Sequence, residues 1–145
     1  MTSQNQSFTL QSGVLAFYKS KICLVSTPKL RKWVIPKGNI PANMGPADSA
    51  LKECYEEAGL IGYLRPAPLG SYEFYKTAEI ASLVLVYELI VTQVLDSWPE
   101  SWVMSVRKMC HNAAYQQTAV SRHWLLFSKR VIDAVRAIEL LCKGV

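Results

Sequence analysis

Residues 36–60 read PKGNIPANMGPADSALKECYEEAGL, and this stretch decides how the rest of the chain is arranged. It opens on a Pro-Lys-Gly turn, crosses a polar loop and closes on Glu-Glu-Ala-Gly-Leu. Its second half is predicted to be a helix. Gly45-Pro46 marks the start, because the N–H that proline lacks costs nothing in a first turn. Gly59 marks the end, where a glycine in the left-handed conformation stops a helix. At about 100° per residue, Leu51, Cys54, Tyr55 and Ala58 form one apolar stripe, while Glu53, Glu56 and Glu57 gather on the opposite side.

Three glutamates so close together admit two readings. In one they are an ordinary solvated face, with Lys52 pairing to Glu56 one turn on. In the other they hold a cation, since three carboxylates within a turn repel one another without one, and hard oxygen ligands suit Mg²⁺ or Mn²⁺.

From Gly38 to Leu60 the stretch resembles the box of the Nudix hydrolases: glycine, five residues, glutamate, seven residues, Arg-Glu, an apolar residue, any residue, Glu-Glu, any residue, glycine, apolar. Gly38 is the opening glycine, Glu53 follows the arginine position, Cys54 fills the apolar slot, Glu56-Glu57 are the acidic pair and Gly59-Leu60 close the motif. Two positions depart: Met44 stands at the first glutamate and Lys52 at the arginine. Lysine keeps the charge without the bidentate fork. The departures bear on the rigidity of the loop and on any additional metal site, and they leave the three central carboxylates in place.

The resemblance implies an α/β (α+β) fold: a Nudix-type mixed β-sheet sandwiched between helices, with the box (38–60) as a loop–helix–loop in a single domain, 1–145. It implies Mg²⁺ (or Mn²⁺)-dependent hydrolysis of a phosphoanhydride, with Glu53, Glu56 and Glu57, and the carbonyl of Gly38, around the metal. The general base is Glu53 or a carboxylate from a later segment, of which Glu73, Glu79 and Glu100 are the candidates. Lys37, beside the turn, is expected to meet a phosphate oxygen, and Lys52 to be a structural partner. Leu24-Val25-Ser26, Lys32 to Pro36, Gly70 to Glu73, Val91 to Leu95 and Trp98 are similar to the branch that hydrolyses diphosphoinositol polyphosphates and diadenosine polyphosphates. A polyanionic substrate of that kind is therefore expected. A 5′-triphosphorylated RNA end is the runner-up, and a non-catalytic ligand sensor on the same fold is the alternative from another class. For a nucleobase substrate, Trp33, Tyr72 or Phe74 would stack on the base.

Composition agrees with a small anionic partner. The chain has 145 residues and a net charge of +5. No acidic residue precedes Asp48, whereas Lys19, Lys21, Lys29, Arg31, Lys32 and Lys37 all do. This charge is either a plain solubility device or a field that draws a polyanion towards the loop, with Lys29, Arg31 and Lys32 as substrate contacts. The four cysteines, Cys23, Cys54, Cys110 and Cys142, show no CxxC pair, so reduced thiols in a cytoplasm are expected rather than a disulfide frame or a zinc site. No apolar run is long enough to cross a bilayer, and the first ten residues lack the pattern of a signal peptide.

Period and punctuation predict strands at Gln11–Tyr18, Lys21–Ser26, Trp33–Ile35, Ile61–Leu64, Gly70–Lys76 and Ile80–Leu95. Pro66 and Pro68 interrupt the fourth before the fifth continues it. Val103 to Arg122 shows no clean periodicity and is expected to be an inserted loop or short helix, with Arg107-Lys108 and Arg122-His123-Trp124 competing for a basic strand position. A last strand over His123–Phe127 and an amphipathic helix over Lys129–Cys142 complete the expectation.

Overall fold

Two long strands lie side by side at the centre of the sheet, β1 (Ser7–Tyr18) and β6 (Ile80–Val94). They pair in parallel from Ser7↔Ile80 to Phe17↔Ile90. This is a computed structural model, and it describes residues 7–19, 21–26, 34–75, 77–101 and 106–111; for Ser7, Phe74, Tyr75 and 106–111 it describes the backbone alone. The remaining elements are β2 (Lys21–Ser26), β3 (Lys37–Asn39), α1 (Pro46–Ala58), β4 (Leu60–Leu64), β5 (Gly70–Tyr75) and β7 (Val106–His111). Among the described residues the sheet runs β4-β6-β1-β2-β7, with β3 added to β1 and β5 to β6. It is mixed, as expected.

The central strands are buried on both faces, which is why Ile80–Val94 reads as a nearly continuous apolar run rather than an alternating one. One face packs on α1: Val14, Ala16, Cys23, Val25, Tyr87, Leu89 and Val91 meet Ala50, Cys54 and Ala58. On the other face Leu15, Leu24, Val84 and Val86 are also fully buried. The helix expected over Lys129–Cys142 and the strand over His123–Phe127 lie outside the described residues.

β4 and β5 both run antiparallel to β6, β4 along Leu89–Val94 and β5 along Ala81–Val86. The two prolines therefore break one ladder without changing its partner. The Arg65 N–H still reaches the Glu88 carbonyl and the Leu69 N–H the Val86 carbonyl, at 3.0 and 2.7 Å.

Four expectations are corrected. The strand placed at Trp33–Ile35 starts later: Val34 makes an isolated bridge to Val25, and the ladder to β1 forms at Lys37–Asn39. Val106–His111 is no loop or helix but a strand on β2, registered Lys21↔His111 to Ser26↔Val106, so Arg107-Lys108 occupy a strand position. Tyr55 does not belong to the buried stripe of α1. It is 43% exposed, and the inward face instead runs Ala47, Ala50, Leu51, Cys54, Ala58. Tyr72 is buried at 9% exposure, so its ring is not presented as a stacking surface.

Candidate active site

The position of the carboxylates follows from how α1 is held. Gly45 precedes Pro46 in an extended conformation, and Gly59 closes the helix at φ 64°, ψ 36°, its N–H donating to the Tyr55 carbonyl. With Ala50, Cys54 and Ala58 in the core, positions 53, 56 and 57 are rotated off that face. Two of the three glutamates then meet β3. Glu57 Oε2 accepts the backbone N–H of Lys37 at 3.2 Å. The Glu53 carboxyl group lies over Gly38, where any Cβ would collide with it. Glycine at 38 thus leaves the space that the Glu53 carboxyl group occupies. Glu56 faces Lys52 at 3.7 Å, both partly exposed, so the solvated-face reading describes this one glutamate and not the other two.

A fourth carboxylate, Glu100, joins them from the far end of β6. The segment after β6 folds back on the end of α1: the Leu95 N–H donates to the Gly59 carbonyl at 2.8 Å and the Glu100 N–H to the Glu56 carbonyl at 3.0 Å. Both satisfy carbonyls that a helix end leaves open. The Trp98 ring fills the space that a side chain on Gly59 would need. The Ser101 hydroxyl donates to the Trp98 carbonyl at 2.6 Å and accepts its N–H at 3.3 Å.

These groups shape one another's ionisation. Burial pushes the Glu57 carboxyl up to about 8; the Lys37 N–H opposes the shift, and the charges of Glu53 and Glu100 add to it. Burial also raises Glu53, reinforced by Glu56 and Glu100 and opposed by Lys52 and by a side-chain hydrogen bond with Glu57. Partly buried acids whose proton affinity is raised are ready to exchange their protons for a cation. Of the three carboxylates considered beyond the box, Glu100 therefore acts on this site. Glu73, on β5, and Glu79 are exposed and do not contribute to either shift.

Among the described residues, no three His, Cys, Asp or Glu side chains are gathered around one point as a ready metal cage. The donor set nevertheless fits a hard divalent cation. It is all oxygen, carries like charges on adjacent turns, and has a glycine cradle beneath Glu53. Glu56 is held away from Glu53 and Glu57 only by its exposed pair with Lys52, an interaction of small worth.

Lys37 is placed beside the site by its backbone. Its ammonium donates to Gln11 Oε1 at 3.4 Å, and Gln11 Nε2 donates to Asn39 Oδ1 at 2.9 Å. Lys29, Arg31, Lys32 and Trp33 lie outside the described residues, as does the Phe74 side chain. Sequence reasoning missed the Gln11–Asn39 pair. The only signal for it was a glutamine and an asparagine in strands that pair.

No sequence-family profile matches the chain. It is 35% identical over 96 residues to Nudix hydrolase 12, mitochondrial, of Arabidopsis thaliana, a match covering 61% of this chain and 47% of that protein. To the human diphosphoinositol polyphosphate phosphohydrolase 2 it is 30% identical over 104 residues, covering 69% of this chain and 56% of the relative. The chain thus spans about half the length of the curated relatives it matches. In structure it is similar to the MutT NUDIX hydrolase from Burkholderia pseudomallei, with a TM-score of 0.61 over 72% of this chain and 84% of that one at 15% identity. The fold is the Nudix fold, and the sequence resembles Nudix hydrolases, diphosphoinositol polyphosphate phosphohydrolases among them.

Proposed function

We propose that this Nudix-fold chain, read as one domain, hydrolyses a phosphoanhydride in a polyanionic substrate, a dinucleoside polyphosphate or a diphosphoinositol polyphosphate, with Mg²⁺ or Mn²⁺. One observation carries the reading. Glu53 and Glu57 are partly buried beside β3, with Glu100 near enough at the end of α1 for its charge to raise the proton affinity of both. A solvated helix face has no cause to collect them there.

Glu53, Glu56 and Glu57 would hold the cation, with the Gly38 carbonyl beside them. Once bound, it would neutralise charge on the diphosphate and make a nearby water easier to deprotonate. Glu53, whose proton affinity is raised by burial, or Glu100 would accept the proton of the attacking water. The Lys37 ammonium, held by Gln11, would meet a phosphate oxygen as a point charge. The acid-free first 47 residues, with Lys29, Arg31 and Lys32, would draw a highly charged substrate in.

No helix among the described residues is long and apolar enough to cross a membrane. Cys23 and Cys54 are buried and form no disulfide, which supports a reducing compartment such as the cytoplasm.

The test compares kcat/KM for dinucleoside polyphosphates, diphosphoinositol polyphosphates and 5′-triphosphorylated RNA, with Mg²⁺ or chelator, at two salt concentrations. The expected result is metal-dependent turnover that favours one of the first two and falls steeply with salt. Preference for RNA would move the function to RNA ends, which the positive charge also suits. A flat response across the panel from folded protein would make the chain a sensor.

A further inference from the structure

Ser12 is fully buried, and its hydroxyl has no hydrogen-bond partner among the described residues. A buried hydroxyl left without a partner is costly, and its persistence calls for an explanation. Its position suggests what that is. Ser12 is the cross-strand partner of Gly38, so the two residues point their Cβ directions from the same face of the ladder. From Gly38 that direction runs into the Glu53 carboxyl group. On the other side Ser12 is registered with Leu85, and along β1 the same face carries Leu10 and Val14. Its strand neighbours on that face are apolar or glycine. The polar side chains that α1 brings over the ladder are Glu53 and Ser49, and the Ser49 hydroxyl already donates to the Asn39 carbonyl at 3.4 Å.

A carboxylate that turns one oxygen to a cation leaves the other to be held by a hydrogen-bond donor. We propose that Ser12 is that donor: a positioning residue whose hydroxyl, idle in the metal-free protein, holds the Glu53 carboxylate in the orientation that binds metal. The inference rests on the reading of Glu53 as a metal ligand.

Mn²⁺ affinity, by calorimetric titration, and metal-free thermal stability are measured for wild type, Ser12→Ala, Ser82→Ala and Glu56→Gln. Ser82 is the control, because its hydroxyl is also buried and without a partner among the described residues, but three positions from Leu85 it faces the other side of the sheet. The expected result is a Ser12→Ala protein that melts no lower than wild type and binds Mn²⁺ about tenfold more weakly, the scale of one hydrogen bond to a charged group. Ser82→Ala should bind as wild type does. Ser12→Ala that binds Mn²⁺ normally overturns the proposal, and so does a Ser12→Ala protein that melts lower than wild type, which would show a structural bond. If wild type binds Mn²⁺ no better than Glu56→Gln, the metal reading itself falls and the role of Ser12 falls with it.

Discussion

Glu100 is tied to α1 through Glu56: the backbone N–H of the first donates to the carbonyl of the second at 3.0 Å. That bond caps the helix and, in the same step, brings the Glu100 carboxylate within electrostatic reach of Glu53 and Glu57.

Glu100→Gln should therefore shift ionisation at residues it does not replace. Removing its charge removes one cause of the raised affinities of Glu53 and Glu57, so the acid limb of the kcat/KM profile moves to lower pH. Glu73→Gln and Glu79→Gln should leave the limb where it is. Equal effects from all three would break the link.

The stability of the metal-free protein should fall as pH rises. Glu57 titrates at about 8 in the folded chain against 4.5 in the reference state. An acid with a raised folded pKa contributes stability that is fully present below the lower value and lost as pH climbs through the upper one. Chelated wild type should lose thermal stability between about pH 4.5 and 8. Glu57→Gln should flatten that slope, and Mn²⁺ should restore stability at the alkaline end. An unchanged slope in Glu57→Gln would contradict the assignment.

Gly38→Ala is expected to cost metal affinity, because its Cβ would displace the Glu53 carboxyl group. Gly59→Ala acts on the helix end: alanine at φ 64° against the Trp98 ring should cost more than about 1 kcal/mol in denaturant unfolding. Lys52→Ala, breaking an exposed pair, should cost no more than about 1 kcal/mol. A Lys52→Ala loss as large as that of Gly59→Ala would show that Lys52 holds more than Glu56.

How much of this was legible in the sequence depended on whether the cause was local. Pro46 and Gly59 mark the ends of α1 because proline and left-handed glycine act on their own backbone. Ile80–Val94 is legible because burial on both faces writes a continuous apolar run. Val106–His111 was not, since Val-Arg-Lys-Met-Cys-His lacks a period and becomes a strand by pairing with β2. Tyr55 misled because its helical spacing fits the stripe, while packing puts the inward face at Ala47, Ala50, Leu51, Cys54 and Ala58. Within the site, the placement of Glu53 and Glu57 followed from the motif. The selection of Glu100 over Glu73 and Glu79 needed the fold, because the carbonyl of Glu56 chooses it.

The central claim is that Glu56 and Glu57 hold the cation on which hydrolysis depends. The most direct measurement is the Mg²⁺-dependent rate of phosphoanhydride hydrolysis for wild type, Glu56→Gln and Glu57→Gln on the best substrate of the panel. Each variant should stay folded and lose more than about tenfold of the metal-dependent rate. Folded variants that keep the rate within about tenfold of wild type would contradict the claim.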